Sequence, residues 1–458
     1  MPRGEERSVL RAFAEPWQTL AVRENWLLDR PTLIAVIAIG FAIAFELTTA
    51  RLALVSLAAF TIPFALALRF DRSVENFDDG GQKRASWHLA AVAGVLILAC
   101  WTAVADAPLF AARTPALVAL LIAAIWIVER GAPRFGALQR QHVIRVILLT
   151  YALCAAFSLI EEATDHLIKQ LLFWPFRIIQ WEHGHVVLSF SHKVEITAQK
   201  SNLNMVALIF FVAPVLQLLG ILCSPSAARL ARALTIAVVG IAVLLSVNLT
   251  AKLALLAGLL AILAAKRWYK ATVFATAFVW LLAFATVIPL AKAIYSSGAQ
   301  TDARLPYTLR HRIVIWDHTI ERFVQRPLLG VGPGMTRWHF KREKEPAYDR
   351  SGFRRTLEVY AHNIYLQAWF ELGMIGTVIL AAFGLAMLAG MTALHPRSGA
   401  YGIGLFASVI VLGMAGYGLF TPWLLATMTM AIALLVIAHA WEPKRALQAN
   451  GASRASAS

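Results

Sequence analysis

Apolar residues in this chain come in long unbroken blocks rather than the short alternations of a soluble fold. Twelve blocks can be placed, at 31–49, 52–68, 87–105, 114–128, 143–160, 203–223, 231–249, 252–265, 271–291, 362–391, 401–419 and 421–440. Most run to about 15–22 residues, enough to cross a hydrocarbon core as helices. The blocks 231–249 and 252–265 nearly touch, as do 401–419 and 421–440. Each pair fits either two helices or one broken helix. The pattern predicts an all-α, polytopic integral membrane protein of about 12 transmembrane helices. It divides into an N-terminal segment (1–30), nine helices over 31–291 that include a loop at 161–202, a large loop at 292–361, three last helices over 362–440 and a disordered tail at 441–458.

The large loop is partly helical. Ile313, Trp316, Ile320 and Phe323 recur every three or four residues and predict one apolar helix face. That helix stops at Pro327-Leu328-Leu329-Gly330-Val331-Gly332-Pro333-Gly334, a run of breakers. In the other long loop, Leu171, Phe173, Trp174, Phe176 and Trp181 predict an interfacial amphipathic stretch.

Composition fits the same class: 59% of residues are hydrophobic and 15% charged, against about 45–50% and 25% in soluble domains. Cys100, Cys154 and Cys223 all lie within apolar blocks, without metal-ligand spacing, and are expected to be small core residues. No cleavable signal peptide is evident. The net charge of +16 suits membrane topology and anionic lipid rather than nucleic acid. One set of short connections holds Arg69, Arg72, Lys83, Arg84, Arg130, Arg134, Arg140, Arg145, Arg229, Arg232, Lys266, Arg267, Lys270 and Arg397, and the opposite set little beyond Arg51 and Arg113. The basic set is therefore expected to be cytoplasmic, with both termini. The loops 161–202 and 292–361 then lie outside. The second carries thirteen Lys/Arg against seven Asp/Glu from Lys292 to Ala361. A basic loop on that side calls for an anionic partner.

Candidate chemistry gathers there. Arg312 offers a planar fork of donors matched to phosphate oxygens, with Arg310 and His311 beside it and Trp316 on the same helix face. An interfacial helix extending its arginines to headgroups is the plainer alternative. His362 opens an apolar helix, where it can cap, face headgroups, meet an anion or act as a general base. Glu371 lies nine residues on, about half a turn away on a continuous helix, so the two are not expected to form a dyad; a hydrogen bond to a neighbouring helix is expected instead. Gly373 and Gly376 suit close helix packing. The glycine run at 330–334 follows a helix and contains Pro333, which argues for a turn over a nucleotide loop. Lys252 opens another apolar block and can extend to headgroups or neutralise a phosphate. Glu46, in the first block, suits either an interface or a pair inside the bundle.

Together these residues resemble the O-antigen ligase and O-antigen polymerase superfamily. The resemblance rests on Arg312 four residues before Trp316, Pro327-Leu328-Leu329-Gly330-Val331-Gly332, His362-Asn363-Ile364-Tyr365-Leu366 and Glu371-Leu372-Gly373-Met374-Ile375-Gly376. Two positions depart from the family pattern: Ala251-Lys252 stands where Ser-Arg is frequent, and Asn202-Leu203 where ligases often have Asn-Arg. Lys200 or Lys193 are candidates for the missing charge. The resemblance implies glycosyl transfer from an undecaprenyl-diphosphate-linked glycan, at the periplasmic face of the bacterial inner membrane, without metal or other cofactor. A ligase passes the glycan to the lipid A core sugar, a polymerase to a second lipid-linked repeat. The implied roles are His362 as base, Arg312 as the main diphosphate cation, and Arg310, Lys252 and Asn363 as further diphosphate ligands. The rival from another class is a transporter with a basic outer vestibule, but no internal repeat is visible and the polar residues gather in one outer loop.

Overall fold

The computed structural model describes residues 30–48, 53–70, 81–164, 167–168, 187–188, 194–195, 198–343, 348–392, 394 and 396–442. The N-terminal segment before Arg30, the tail after Glu442, and Trp174, Trp181 and Lys193 lie outside them. So do the side chains of Lys83, Arg84 and Lys200.

The protein is an all-α membrane protein. Among the described residues nine helices are long and apolar enough to cross a membrane: Pro108–Arg134, Ala137–Ala163, Leu203–Leu222, Pro225–Leu245, Leu249–Arg267, Tyr269–Ser296, Ile364–Thr392, Pro396–Ala415 and Pro422–Ala440. Three shorter apolar helices, Thr32–Thr48, Ala53–Leu68 and Ala91–Val104, occupy the first three expected blocks. Each close-set pair is two helices. The second helix of the first pair starts where Asn248 Oδ1 accepts the Ala251 N–H at 3.0 Å, an N-cap bond that closes one orphan donor. The one strand pairing among the described residues is Val187–Leu188 with Val194–Glu195.

The chain forms two compact units. The first comprises Met1–Asn76, Ala124–Leu255 and Ala426–Ser458. Its helix Ala198–Leu222 is buried on every side from Asn204 to Leu219, as expected of a helix that is apolar all round. Polar side chains there bond the backbone of other helices, since lipid offers them no partner. Tyr151 Oη donates to the Leu208 carbonyl at 2.9 Å and Asn204 Nδ2 to that of Thr48 at 3.2 Å. Glu46 is fully buried and accepts from Thr427, so it sits inside the bundle rather than at an interface.

The second unit, Phe77–Ala123 with Leu256–Leu425, contains the large loop. Its core is a cage of rings: Trp280 lies 4.9 Å from Phe284, 5.7 Å from Tyr365 and 5.2 Å from Phe406, all edge-on. Trp280 Nε1 donates to the Ala381 carbonyl at 3.0 Å and Trp369 Nε1 to that of Phe284 at 3.1 Å. Both bonds join the helices Tyr269–Ser296 and Ile364–Thr392. The outer face of Tyr269–Ser296 leaves Phe274, Phe278 and Leu290 exposed, the stripe expected to meet acyl chains. Trp280 fits only because position 384 is glycine, where a Cβ would fall 2.3 Å from the indole nitrogen. Gly384→Val is therefore expected to lower the unfolding temperature of the detergent-purified protein by several degrees; an unchanged melt shows that the contact does not hold these helices together.

Candidate active site

The loop helix spans Tyr307–Val324. Its expected face is buried at Ile313, Trp316 and Ile320, but so are Val314, Ile315, Asp317 and Thr319. A helix buried this widely is embedded in folded protein, not laid on an interface. Asp317, one residue past Trp316, anchors it. Its carboxylate takes Lys292 Nζ at 2.7 Å and Arg355 Nη2 at 2.9 Å. Arg355 also reaches Glu321 at 2.7 Å and Tyr295 Oη at 2.9 Å, and Tyr295 donates to Asp349. Two cations on one buried carboxylate balance its charge. They tie the helix to the end of Tyr269–Ser296. The sequence analysis did not anticipate this network, although an acid inside an apolar helix face was its visible signal.

The breaker run forms the second component. Helix Ile364–Thr392 kinks at Gly373, where φ is 64° and ψ −171°. The kink frees backbone groups that the run then fills. Val331 N–H donates to the Phe370 carbonyl at 3.1 Å and Gly332 N–H to that of Glu371 at 2.8 Å. In return Met374 N–H donates to Pro327 at 2.8 Å and Ile375 N–H to Leu328 at 3.2 Å. Gly330 (φ 67°) and Gly373 meet backbone to backbone, and a Cβ on Gly330 would lie 2.6 Å from the Gly373 nitrogen. Glu371 bonds a neighbouring helix, as expected, at the start of Thr336–Phe340. Its carboxylate accepts the Gly334 N–H at 2.7 Å, the Thr336 N–H at 3.0 Å, the Thr336 hydroxyl at 2.5 Å and Gln367 Nε2 at 2.8 Å. The two glycine motifs are thus halves of one joint.

The third component is the segment before helix Ile364–Thr392. Trp316 Nε1 donates to the Ala361 carbonyl at 3.0 Å, and Trp316 lies one helical turn from Arg312. The Arg-x-x-x-Trp spacing therefore brings the guanidinium to His362. His362 has φ 55°, a left-handed conformation that costs a non-glycine residue about 1–2 kcal/mol. Its Nδ1 lies 3.2 Å from the Gly416 carbonyl. A carbonyl can only accept, so Nδ1 carries the proton and Nε2 keeps its lone pair in the neutral ring. Burial, reinforced by Arg312, pushes the His362 pKa down to about 4. Tyr360 packs edge-on at 4.6 Å. Burial also pulls the Arg312 pKa below its ordinary value, opposed by Tyr417 and Tyr360; a guanidinium stays charged regardless. No carboxylate pairs with Arg312 among the described residues. A half-buried cation with no described carboxylate partner, beside a neutral imidazole, is a setting in which an anion would be favoured.

Of the remaining candidates, Arg310 lies over the Phe353 ring at 5.7 Å on the same helix as Arg312. Asn363 has both amide ends engaged: Oδ1 accepts the Leu366 N–H at 3.0 Å and Nδ2 donates to the Met414 carbonyl at 2.9 Å. It is the helix N-cap, and His362 the residue before it. Lys252 opens helix Leu249–Arg267 within the first unit, half-buried and without an ion-pair partner among the described residues. Gln367, Tyr360 and Tyr417 also shape the site, and nothing in their sequence setting announced it. Among the described residues no cluster of three or more His, Cys, Asp or Glu is placed to hold a metal ion.

Residues 233–381 match the O-antigen ligase family model, a stretch that includes Lys252, Arg310, Arg312, His362, Asn363 and Glu371. A protein of Rickettsia conorii, whose name gives it as a candidate polysaccharide ligase, is 24% identical over 127 residues. That match takes in 27% of this chain and spans 31% of the relative's length.

Removing the Glu371 carboxylate leaves the buried Gly334 and Thr336 donors unmet, at about 1–3 kcal/mol each. Glu371→Ala is expected to cost about 3–5 kcal/mol of stability, read as a lower unfolding temperature in detergent. An inactive variant with an unchanged melt would instead make Glu371 a group of the chemistry.

Proposed function

With the O-antigen ligase superfamily as premise, we propose that this chain is a ligase moving a glycan from undecaprenyl diphosphate to the core sugar of lipid A. The reaction takes place on the periplasmic face of the inner membrane. The observation that carries the reading is the half-buried Arg312 guanidinium, with no carboxylate partner among the described residues, beside a His362 whose Nδ1–H is fixed on the Gly416 carbonyl.

The chemistry follows from those two groups. The acceptor hydroxyl gives its proton to His362 Nε2 as its oxygen bonds to the anomeric carbon of the donor. The bond from that carbon to the diphosphate oxygen breaks, and the electron pair leaves with the diphosphate. Negative charge on the leaving group grows in the transition state, where a fixed and desolvated Arg312 stabilises it most. Arg310 is the auxiliary cation, so the reading needs no metal ion. Asn363 spends its amide within the protein and holds His362 in place rather than touching phosphate.

The depressed pKa of His362 has a purpose here. A bound diphosphate favours the imidazolium and raises the pKa; starting from about 4, the ring remains neutral and able to accept a proton once donor has bound. The acid limb of kcat/KM, which reports the free protein, is expected near pH 4, activity falling as pH drops through it. The limb of kcat, which reports the donor complex, should lie higher. Coincident limbs, or a limb that persists in His362→Gln, place the base elsewhere. His362→Gln is expected to bind donor and transfer nothing.

Arg312→Lys is expected to lose at least tenfold in kcat/KM despite the retained charge, because the planar fork is lost. Full activity at normal expression removes Arg312 from the diphosphate site. Sidedness is tested by cysteines at Gly352 and Gly136 in cells with a permeabilised outer membrane. An impermeant reagent should label the first and spare the second, and equal labelling refutes the orientation. Gene deletion tests the reaction as a whole. A ligase loss leaves bare lipopolysaccharide core with lipid-linked polymer accumulating; core capped by a single repeat indicates a polymerase, and an unaltered pattern a transporter.

A further inference from the structure

Among the described residues only two non-glycine residues adopt positive φ, Glu358 and His362, both at 55°. They bracket Val359, Tyr360 and Ala361, the segment that Trp316 pins through the Ala361 carbonyl. The strain at His362 has a reason in the Gly416 bond. At Glu358 the backbone N–H donates to the Thr356 hydroxyl oxygen at 3.3 Å, while the carboxylate accepts no hydrogen bond among the described residues and is about one-third exposed (31%). Its nearest basic neighbour is His311, 3.9 Å from Nε2 to Oε1, and Arg354 faces it as well. His311 is stacked on Phe353 at 5.4 Å, and Phe353 meets Tyr307 edge-on at 5.0 Å. Tyr307 itself is exposed.

Arg312 suits a diphosphate. A carboxylate repels that group, so Glu358 suits a neutral, hydroxyl-rich partner instead. Sugar hydroxyls donate readily to a carboxylate, and the C–H face of a pyranose packs on aromatic rings. Backbone strain at a partly accessible side chain is characteristic of ligand contacts.

Resting on the ligase reading above, we propose that Glu358 positions the acceptor sugar, accepting hydrogen bonds from hydroxyls beside the one that His362 deprotonates, with Tyr307 and His311 flanking the ring. The unusual φ makes this cleanly testable. Glycine adopts a φ of 55° without penalty, so Glu358→Gly removes the carboxylate while relieving the backbone.

The experiment uses the full chain in nanodiscs and soluble core oligosaccharide released from lipopolysaccharide, with binding followed by saturation-transfer NMR. Glu358→Gly is expected to bind the oligosaccharide at least fivefold more weakly, with its unfolding temperature equal or higher. In transfer assays the KM for acceptor should rise while the KM for donor stays unchanged. Weakening of less than fivefold overturns the inference, as does absence of binding by the unaltered protein. Should the glycine variant fail to fold, Glu358→Gln carries the same comparison. If the unaltered protein binds the oligosaccharide yet transfers no glycan, the ligase reading fails and the sugar site stands.

Discussion

Everything at this site hangs on one buried carboxylate. Glu371 takes four hydrogen bonds, three of them from a turn more than thirty residues earlier in the chain. It does so from a helix that must kink at Gly373 for the turn to dock. The kink supplies loose backbone groups, the turn supplies their complements, and the carboxylate closes the joint. Two of these parts are unfavourable alone: a broken helix and a buried acid both cost free energy. Their cost is offset only when all three meet, which makes the joint stiff. Gln367 carries that stiffness onward. Its Nε2 holds Glu371, and its Oε1 accepts the Leu419 N–H at 3.1 Å. The same loop presents the Gly416 carbonyl to His362.

The electrostatics are arranged by exclusion as much as by attraction. Several acids around the loop are engaged: Asp317 and Asp349 with Arg355 and its neighbours, Glu343 with His318 and Thr356, Asp106 with Arg326. Arg312 has no carboxylate partner among the described residues, and partial burial desolvates it. A cation in that condition gains more from a diphosphate than an exposed one would, since the desolvation cost has already been met in folding. The neighbouring imidazole stays neutral chiefly because it too is desolvated, with the Arg312 charge adding to the effect.

The helices were legible in the sequence because membrane burial imposes long apolar runs that no other environment requires. The face of the loop helix was legible from Ile313, Trp316 and Ile320. His362 and Arg312 could be named from motif chemistry, but their proximity could not, since it depends on Trp316 reaching the Ala361 carbonyl forty-five residues away. The helix that Glu371 bonds is not legible locally, because the helix carrying Glu371 is not continuous. Glycine at 373 allowed a kink, and only the docked turn made one. Asn363 was assigned to phosphate where its amide serves the backbone, a choice that residue type cannot reveal. Arg355 and Asp317 lie far apart in sequence, so their pairing had no local signature.

The hydrogen bonds around His362 also set an order in time. Its Nδ1 partner is Gly416, the Asn363 amide partner is Met414, and the Gln367 partner is Leu419. All three lie downstream of helix Ile364–Thr392, in and after the helix Pro396–Ala415. During synthesis the ribosome therefore delivers Arg312, the glycine turn and His362 well before the residues that lock them together. The nascent chain passes through a stage in which Arg312 and His362 exist but the imidazole lacks the Gly416 carbonyl that fixes its tautomer. A chain truncated after Thr392 would carry both side chains without the contacts that arrange them.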